Sequence, residues 1–413
     1  ALSTDVSIIL ISHNKYPQNL FALYSLEEQT YAPTRMEVIL VDDSSTDQTI
    51  SLQDYTAPFL FKYCRSDTNL GRAGAKNFGV ERAEGKIVIF LDGEVMVAPD
   101  FVANHLRHYD AEEEITVSGD SSHFGTFSVL YPDFSERQLK RLYFFLRKEP
   151  LLMERLAQRL SVPPQTLRVF NSFDRYTRSI GQPKALLTKK DIAGGQFKKL
   201  SFPASYFHPF ILKKYGYNLT GFHLAWTFFI TRNVSVSKSL LEAVGPFSEE
   251  FRGWGSEDWE LGYRLYKNGV KFVEDPGIVS YHQEHPFSLS NRRGDQMQNY
   301  ALFTMLHPEI EVCSLSLGFL KKNFIEINNI IEDYYSLGEQ FPGEFAYSRE
   351  AFIKLTQQIP LLLAEGKPVA RLLQHAGLEK EADQEKLRGE LEALQKTGAY
   401  QNYLGAFDLL LRL

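Results

Sequence analysis

Residues 87–97 read IVIFLDGEVMV. The apolar run on either side has the composition of a buried strand, yet it carries Asp92 and Glu94, where desolvation and mutual repulsion are both costly. The preceding residues explain the placement. VSIILIS (6–12) is a short β-branched run followed by a helical stretch over 18–29, MEVILVDD (36–43) is a second strand, and FLFKYC (59–64) is a third. Residues 72–84 read as helix before KIVIFLD (86–92). Strands and helices alternating at this spacing predict a parallel sheet with crossover helices. In such sheets ligands bind beyond the carboxyl ends of the strands. Asp42, Asp43, Asp92 and Glu94 fall at such ends, so they are expected to face a ligand and not the core.

The chain has 413 residues and a net charge of −6, enough for one large domain with additions or for two domains. No apolar run approaches the ~20 residues that cross a bilayer, and no secretory signal is visible. Cys64 and Cys313 match no metal or disulfide pattern, which favours a reducing compartment. The charge is unevenly spread. Between Arg137 and Lys214 there are 17 Lys and Arg against four acids, Glu149, Glu154, Asp174 and Asp191, so this segment is about +13 and the remainder about −19. Such a separation suggests either an anionic partner or a basic face packed on the acidic remainder.

The strand–helix rhythm breaks over 120–222, which holds the basic segment, several aromatics and the loop signals VPP and AGG. It recovers at HLAWTFFITRNVSVS (223–237). GWGSEDWELGYRLYKNG (253–269) reads as a Gly-rich loop entering a helix that ends at Gly269, and VKFVEDPGIVSYH (270–282) as strand–turn–strand. From about Ser290 the pattern is helical to the last residue, including the amphipathic stretch LEKEADQEKLRGELEALQK (378–396).

Three constellations carry chemistry. In LDGE, residues two apart on a strand face the same side, so Asp92 and Glu94 can grip one hard cation, Mg²⁺ or Mn²⁺. A capping or salt-bridged structural role is the alternative. NLGRAGAKNFG (69–79) lacks the spacing of a phosphate-cradling GxxxxGK[ST] loop, which argues against an ATPase. DDSSTDQT lacks the glycine of a calcium-binding EF-hand. In GWGSEDWE, Ser256 is a candidate N-cap with Glu257 and Asp258 in the first turn, where the helix dipole favours acids. The same dipole keeps a carboxylate ionised, as a general base requires, and Trp254 with its glycines suits a loop against which a ring-shaped substrate stacks. In YHQEHP (281–286), His282 becomes a candidate ligand if it lies near Asp92 and Glu94.

VSIILISHN, VDDSSTDQT, the N-x-G-x-x-x-A-K-N pattern at 69–77, FLDGE, RNVSVSKSLLEAVGPFSEEF, GWGSEDWELGYRLYKNG and SYHQE occur in an order that resembles the family 2 glycosyltransferases of GT-A fold. The likeness is to the bacterial chondroitin polymerase type, whose second half also resembles galactosyltransferases, and it covers roughly 5–115 and 223–290. It implies an α/β fold with a mostly parallel central sheet, a basic insertion and a helical C-terminal region. The expected division is 1–119 as the nucleotide-sugar half, 120–222 as an acceptor-side insertion, 223–290 as the acceptor and catalytic half, and 291–413 as helical.

Carried over by motif, Asp43 reads the uracil of a UDP-sugar. Ser12, Asn69, Gly71, Lys76 and Asn77 bind the nucleotide and diphosphate, Lys76 standing where the family usually has Arg. Asp92 and Glu94 match the DxD motif, with Glu in place of the second Asp, and His282 matches a third ligand to Mn²⁺ or Mg²⁺. Asp258 matches the catalytic base, Glu257 contacts a sugar, and Trp254 and Gly255 lie on the acceptor side.

The implied reaction is inverting transfer of a hexose or N-acetylhexosamine from a UDP-sugar to a polysaccharide or other glycan. Transfer to a Ser, Thr or Cys side chain of a peptide is an alternative, with SYFHPF (205–210) and LYFFL (142–146) forming a groove. A non-catalytic nucleotide-sugar-binding module is another. The basic segment 137–214 is expected to meet an anionic polymer or a membrane surface, or to pack internally. The tail would cover the acceptor side or support a homodimer. No nucleic acid partner is expected, and the expected location is cytoplasmic, with or without peripheral membrane contact.

Overall fold

β-branched, apolar runs become strands here because they can be buried on both faces. A computed structural model describes residues 4–110, 114–204, 208–286 and 289–413. Its strands are β1 (Val6–Ser12), β2 (Met36–Asp42), β3 (Leu60–Arg65), β4 (Ile87–Asp92), β5 (Val95–Val97), β6 (Ile115–Ser118), β7 (His123–Thr126), β8 (Val129–Leu130), β9 (Lys184–Ala185), β10 (Ser201–Pro203), β11 (Asn233–Ser237), β12 (Lys271–Glu274) and β13 (Ser280–Gln283). The main sheet has the order β12-β6-β11-β4-β1-β2-β3. β1 pairs in parallel with β2 and β4, β2 with β3, and β12 with β6, while β11 runs antiparallel to β4 and β6. The mostly parallel α/β architecture expected from the sequence is therefore present.

Side-chain alternation sends β1 both ways. Ile8 and Leu10 pack with Leu23 and Leu26 of the Gln18–Glu27 helix on one face. Ile9, with Val41 and Phe90, packs on the other against Trp226 and Tyr263. That second core continues without a break into the C-terminal helices, through Phe352 and Tyr403 to Leu410. The helical tail is thus part of the same hydrophobic body. None of the described helices is long and apolar enough to cross a membrane.

A second sheet, β10-β7-β13-β5, stands against the carboxyl edge of the first. The chain passes between them at Gly93. β4 ends at Asp92 and β5 begins at Val95, so Asp92 closes one sheet while Glu94 leads into the other. Period-two alternation holds within a strand and the strand ends between them, so it is the turn, and not alternation, that brings both side chains to one cavity. Gly93 donates its N–H to the Ile11 carbonyl at 2.9 Å, and a Cβ there would lie 2.7 Å from that oxygen. Only glycine lets the turn press so closely on β1.

The interval 120–222 is not one unit. β7 and β10 belong to the second sheet, and Leu219 and Phe222 belong to the main core. Between the two strands lies a helical lobe whose core runs from Phe127 to Leu200 and takes in Phe21, Met96 and Tyr281 of the body. Leu142, Tyr143 and Leu146 are buried in it while Phe144 is exposed, so LYFFL forms a core in place of the expected groove. Of SYFHPF, residues 205–207 lie outside the described residues. Ion pairs Lys199–Glu149 (3.0 Å) and Arg178–Asp174 (3.2 Å) stay within the lobe, and Lys189–Glu27 (2.5 Å) crosses to the body. Arg147, Lys148, Arg168 and Arg175 are exposed.

Two outcomes test this packing. His105, on the Phe101–Leu106 helix, is buried against β11, with Nε2–H donating to Asn233 Oδ1 (3.0 Å) and Nδ1 accepting from Ser235 Oγ (2.8 Å). Burial pushes its pKa down to about 3. An unfolded histidine takes up a proton below about pH 6.5, which the folded one refuses. The stability that His105 contributes is therefore complete above pH 6.5 and is lost as pH falls towards 3, at up to ~1.4 kcal/mol per unit. Urea unfolding at pH 7 and pH 5 should show a smaller loss for His105→Gln than for wild type; equal losses would refute this. Separately, Gly93→Ala should destabilise by ~1–3 kcal/mol through overpacking. An unchanged urea midpoint would mean that the turn has room.

Candidate active site

Where the two sheets meet, a cavity of about 680 Å³ opens, a size suited to a small ligand. Several parts of the chain wall it. Arg72 comes from the start of the Gly71–Val80 helix, and Asp92 and Glu94 from the turn between the sheets. His282, Glu284 and His285 come from the end of β13. Trp254 to Trp259 enter the Glu257–Lys267 helix, and Leu315 to Ile327 come from the C-terminal region.

Main-chain pairing across the second sheet brings His282 to Glu94. His282 stands opposite Val95, and Gln283 donates its N–H to the Glu94 carbonyl at 3.1 Å. Ligand atoms of Glu94, His282 and His285 all lie within 4.8 Å of one another. Glu94 Oε1 is 3.9 Å from His282 Nε2 and 3.6 Å from His285 Nε2. Burial holds the His282 pKa down at about 3 despite the opposing pull of Glu94, so the imidazole is neutral at pH 7 and has a lone pair to give. Burial would raise the Glu94 pKa, but Lys15 and the two histidines outweigh it and keep the carboxyl well below the usual range. One ionised oxygen donor, the neutral His282 imidazole and a second imidazole nitrogen from His285 form a set that fits a divalent ion of the first transition row. Asp92, also in the cavity, stands outside this group. Its pKa is raised, by burial first and then by Glu94.

The acids after Trp254 are held from an unexpected side. Lys76, only 2% exposed, reaches Glu257 Oε1 at 3.0 Å and Asp258 Oδ1 at 2.5 Å. Thr231 donates its hydroxyl to Asp258 Oδ1 (2.8 Å) and its N–H to Oδ2 (3.1 Å). Glu257 is buried, whereas the Asp258 side chain keeps 20% of its surface open. Ser256 holds the N-cap position with φ +71 and makes no side-chain cap, contrary to expectation. The loop before it is fixed from behind. The Asn299 amide donates to the carbonyls of Arg252 (2.8 Å), Trp254 (3.3 Å) and Gly255 (2.9 Å). Gly253 has φ +72, and a Cβ there would fall 2.2 Å from Asp295 Oδ2.

Of the thirteen expected site residues, Asp92, Glu94, Trp254, Gly255, Glu257, Asp258 and His282 line this cavity. The other six do not. Asp43 is 4% exposed, and its carboxylate accepts from the N–H groups of Leu70 (2.6 Å) and Gly71 (3.1 Å) and from Ser66 Oγ (3.2 Å). It therefore fixes the start of the Gly71–Val80 helix, and Gly71 takes φ +74 there. Asn69 donates to the Asp43 carbonyl at 3.4 Å. Ser12 is buried and accepts from Asn19 Nδ2 at 3.0 Å. Asn77 ties the same helix to Phe247 O and Glu249 Oε1, both at 3.0 Å. Lys76 is committed to the two acids. Arg72 instead supplies the cation that faces Asp92, Glu94 and Asp258. Sequence reasoning missed Arg72, His285, Lys15 and Asn299. His285 was the second histidine of YHQEHP, and Arg72 stood inside NLGRAG.

Residues 7–173 match the family described as "Glycosyl transferase family 2", and residues 214–286 match "N-terminal domain of galactosyltransferase". The chain is 32% identical over 287 residues to the uncharacterized glycosyltransferase YfnE of Bacillus subtilis (strain 168), an alignment covering 68% of this chain and 65% of that one. It is 26% identical over 254 residues to the chondroitin synthase of Escherichia coli, covering 60% and 30%. Among solved structures, S. aureus TarS 1–349 superposes with a TM-score of 0.49 at 14% identity, over 95% of this chain and 92% of that one. The chain spans 65% of the length of the first of these curated relatives and 30% of the second. Two family matches in succession, with a sheet edge and a carboxylate-lined cavity where the motifs predicted a ligand, place the chain among the family 2 glycosyltransferases.

Proposed function

We propose that the chain transfers a hexose or N-acetylhexosamine from a UDP-sugar to a hydroxyl of a glycan, with inversion at the anomeric carbon and with help from a divalent ion. One observation carries the reading: a ligand trio and a partly open carboxylate share a single cavity. Glu94, His282 and His285 would hold the ion. When bound, it supplies positive charge to the diphosphate that leaves with the nucleoside.

The remaining tasks fall to side chains of the chain. Arg72 faces the same leaving group and balances charge as the glycosidic bond breaks. Asp92, outside the ligand trio, is assigned to the donor, as are Asp43, Asn69 and Gly71 at the adjoining strand ends. Asp258 accepts the proton of the attacking hydroxyl. Lys76 and Thr231 fix its Oδ1, while Oδ2 takes one N–H bond and keeps acceptor capacity towards the cavity. Glu257 anchors Lys76 and thereby positions Asp258. The backbone-pinned loop at Trp254 and Gly255 offers a face for the acceptor ring. A bond forms between the acceptor oxygen and the anomeric carbon as the bond to the diphosphate breaks. A single displacement needs no covalent intermediate, unlike the paired carboxylates of retaining glycosidases.

UDP release with Mn²⁺ tests the assignment. Asp258→Asn should retain donor binding and lose turnover by ~10²–10⁴-fold, the usual contribution of a general base. Equal release by both proteins would remove Asp258 from the role. The two imidazoles favour Mn²⁺ over Mg²⁺, so turnover at equal, subsaturating metal concentration should be higher with Mn²⁺.

A further inference from the structure

We propose that Lys15 is a resident cation of the Glu94–His282–His285 cluster and sets its affinity for a divalent ion by occupying two of the same donor atoms until the ion displaces it. This inference rests on the metal reading above. Lys15 Nζ lies 2.8 Å from Glu94 Oε1 and 3.3 Å from His285 Nε2. Glu94 Oε1 is also the atom on which both imidazoles converge. An ion held by that oxygen would stand close beside an ammonium, where like charges repel strongly in a partly buried site. The two cations therefore exclude one another.

The side chain has the means to leave. It is 23% exposed, it sits on the connection between β1 and the Gln18–Glu27 helix, and its four-carbon stem rotates freely. While in place it neutralises Glu94, whose side chain is 12% exposed and whose neighbour Asp92 repels it. The apparent metal affinity falls by the fraction of time the site is taken. An anionic diphosphate entering beside the cluster attracts the displaced ammonium, so donor and ion should bind with positive coupling. Lys15 thus makes the cluster intact without metal and most receptive to metal when the donor is present.

The test uses the full chain and follows free Mn²⁺ by electron paramagnetic resonance, with Mn²⁺ alone and with Mn²⁺ plus UDP. Lys15→Met should bind Mn²⁺ at least about tenfold more tightly than wild type without UDP, as expected if Lys15 holds the site nine-tenths of the time. UDP should narrow the gap by tightening wild type more than the variant. Lys15→Arg, which keeps the charge, should remain as weak as wild type, and His285→Asn should weaken binding in both backgrounds. Thermal melts of each variant check folding, with Lys15→Gln as the substitute if Lys15→Met fails to fold. Equal Mn²⁺ affinity in Lys15→Met and wild type would overturn the role of Lys15 and leave the metal reading intact. Absence of Mn²⁺ uptake by both, with UDP as well as without, would overturn the metal reading and the Lys15 proposal together.

Discussion

Carboxylates crowd one cavity, and most of them are answered by a cation brought from elsewhere in the chain. Glu94 meets Lys15, Glu257 and Asp258 meet Lys76, Asp120 meets Arg232, and Asp92 faces Arg72. A buried charge without a partner costs several kcal/mol, so removing one member of such a pair is far worse than never having built it. The fold is organised to make these meetings possible. Lys76 lies on a helix that packs against β1 and β2, and its partners begin a helix 181 and 182 positions later. That one ammonium joins the N-terminal half of the sheet to the half that carries Glu257 and Asp258.

The second sheet does the same for the ligand trio. Four short strands would be marginal alone, but β5 is continuous with the main sheet through the Gly93 turn and β13 pairs with β5 and β7. Register then decides chemistry. His282 sits opposite Val95, and slipping β13 by one residue would turn its imidazole to the other face. Gln283 locks that register, donating its side-chain amide to the carbonyls of Gln18 (2.8 Å) and Glu94 (3.1 Å). A buried glutamine thus specifies where a neighbouring histidine points.

The central strands β1, β2 and β4 were legible in the sequence because they are buried on both faces and read as continuous apolar runs. Asp92, Glu94, Asp258 and His282 were legible because they stand at strand or helix ends within ordered motifs. What failed depended on partners that periodicity does not reveal. The alternation argument joined Asp92 to Glu94 because nothing in DGE says that the strand stops at Asp92. Lys76 and Asn77 were expected at the donor, yet their polar atoms pair with Glu257, Asp258 and Phe247, contacts up to 182 residues distant. His285 stands two residues past the end of β13 and drew no reading from the sequence. Only the pairing of β13 with β5 shows that it arrives beside Glu94.

The helical lobe was expected to shape acceptor choice, and its position separates two questions that the sequence had merged. The wall of the cavity takes Asp120, His123, Gly125 and Ala204 from the strands and connections that flank the lobe, and none of its lining residues falls between Phe127 and Leu200. Further lining comes from the C-terminal region, with Leu315, Phe319, Lys322 and Phe324, and from the Trp254 loop. On the proposed reading, residues that contact the acceptor belong to the walls of this cavity and not to the core of the lobe. Cations exposed on the lobe, such as Arg147, Lys148 and Arg168, lie outside that cavity. They can act only on something that reaches beyond it: an extended anionic chain whose end enters the cavity, or a charged surface on which the whole enzyme rests. Either would raise the local concentration of acceptor through long-range attraction, and either would weaken with salt as the Debye length shrinks to about 10 Å at 0.1 M ionic strength. The chemistry inside, held by short contacts in a largely buried site, is screened far less. If the lobe recruits an anionic partner as the charge pattern suggests, salt is the physical handle that would separate that recruitment from the proposed chemistry in the cavity.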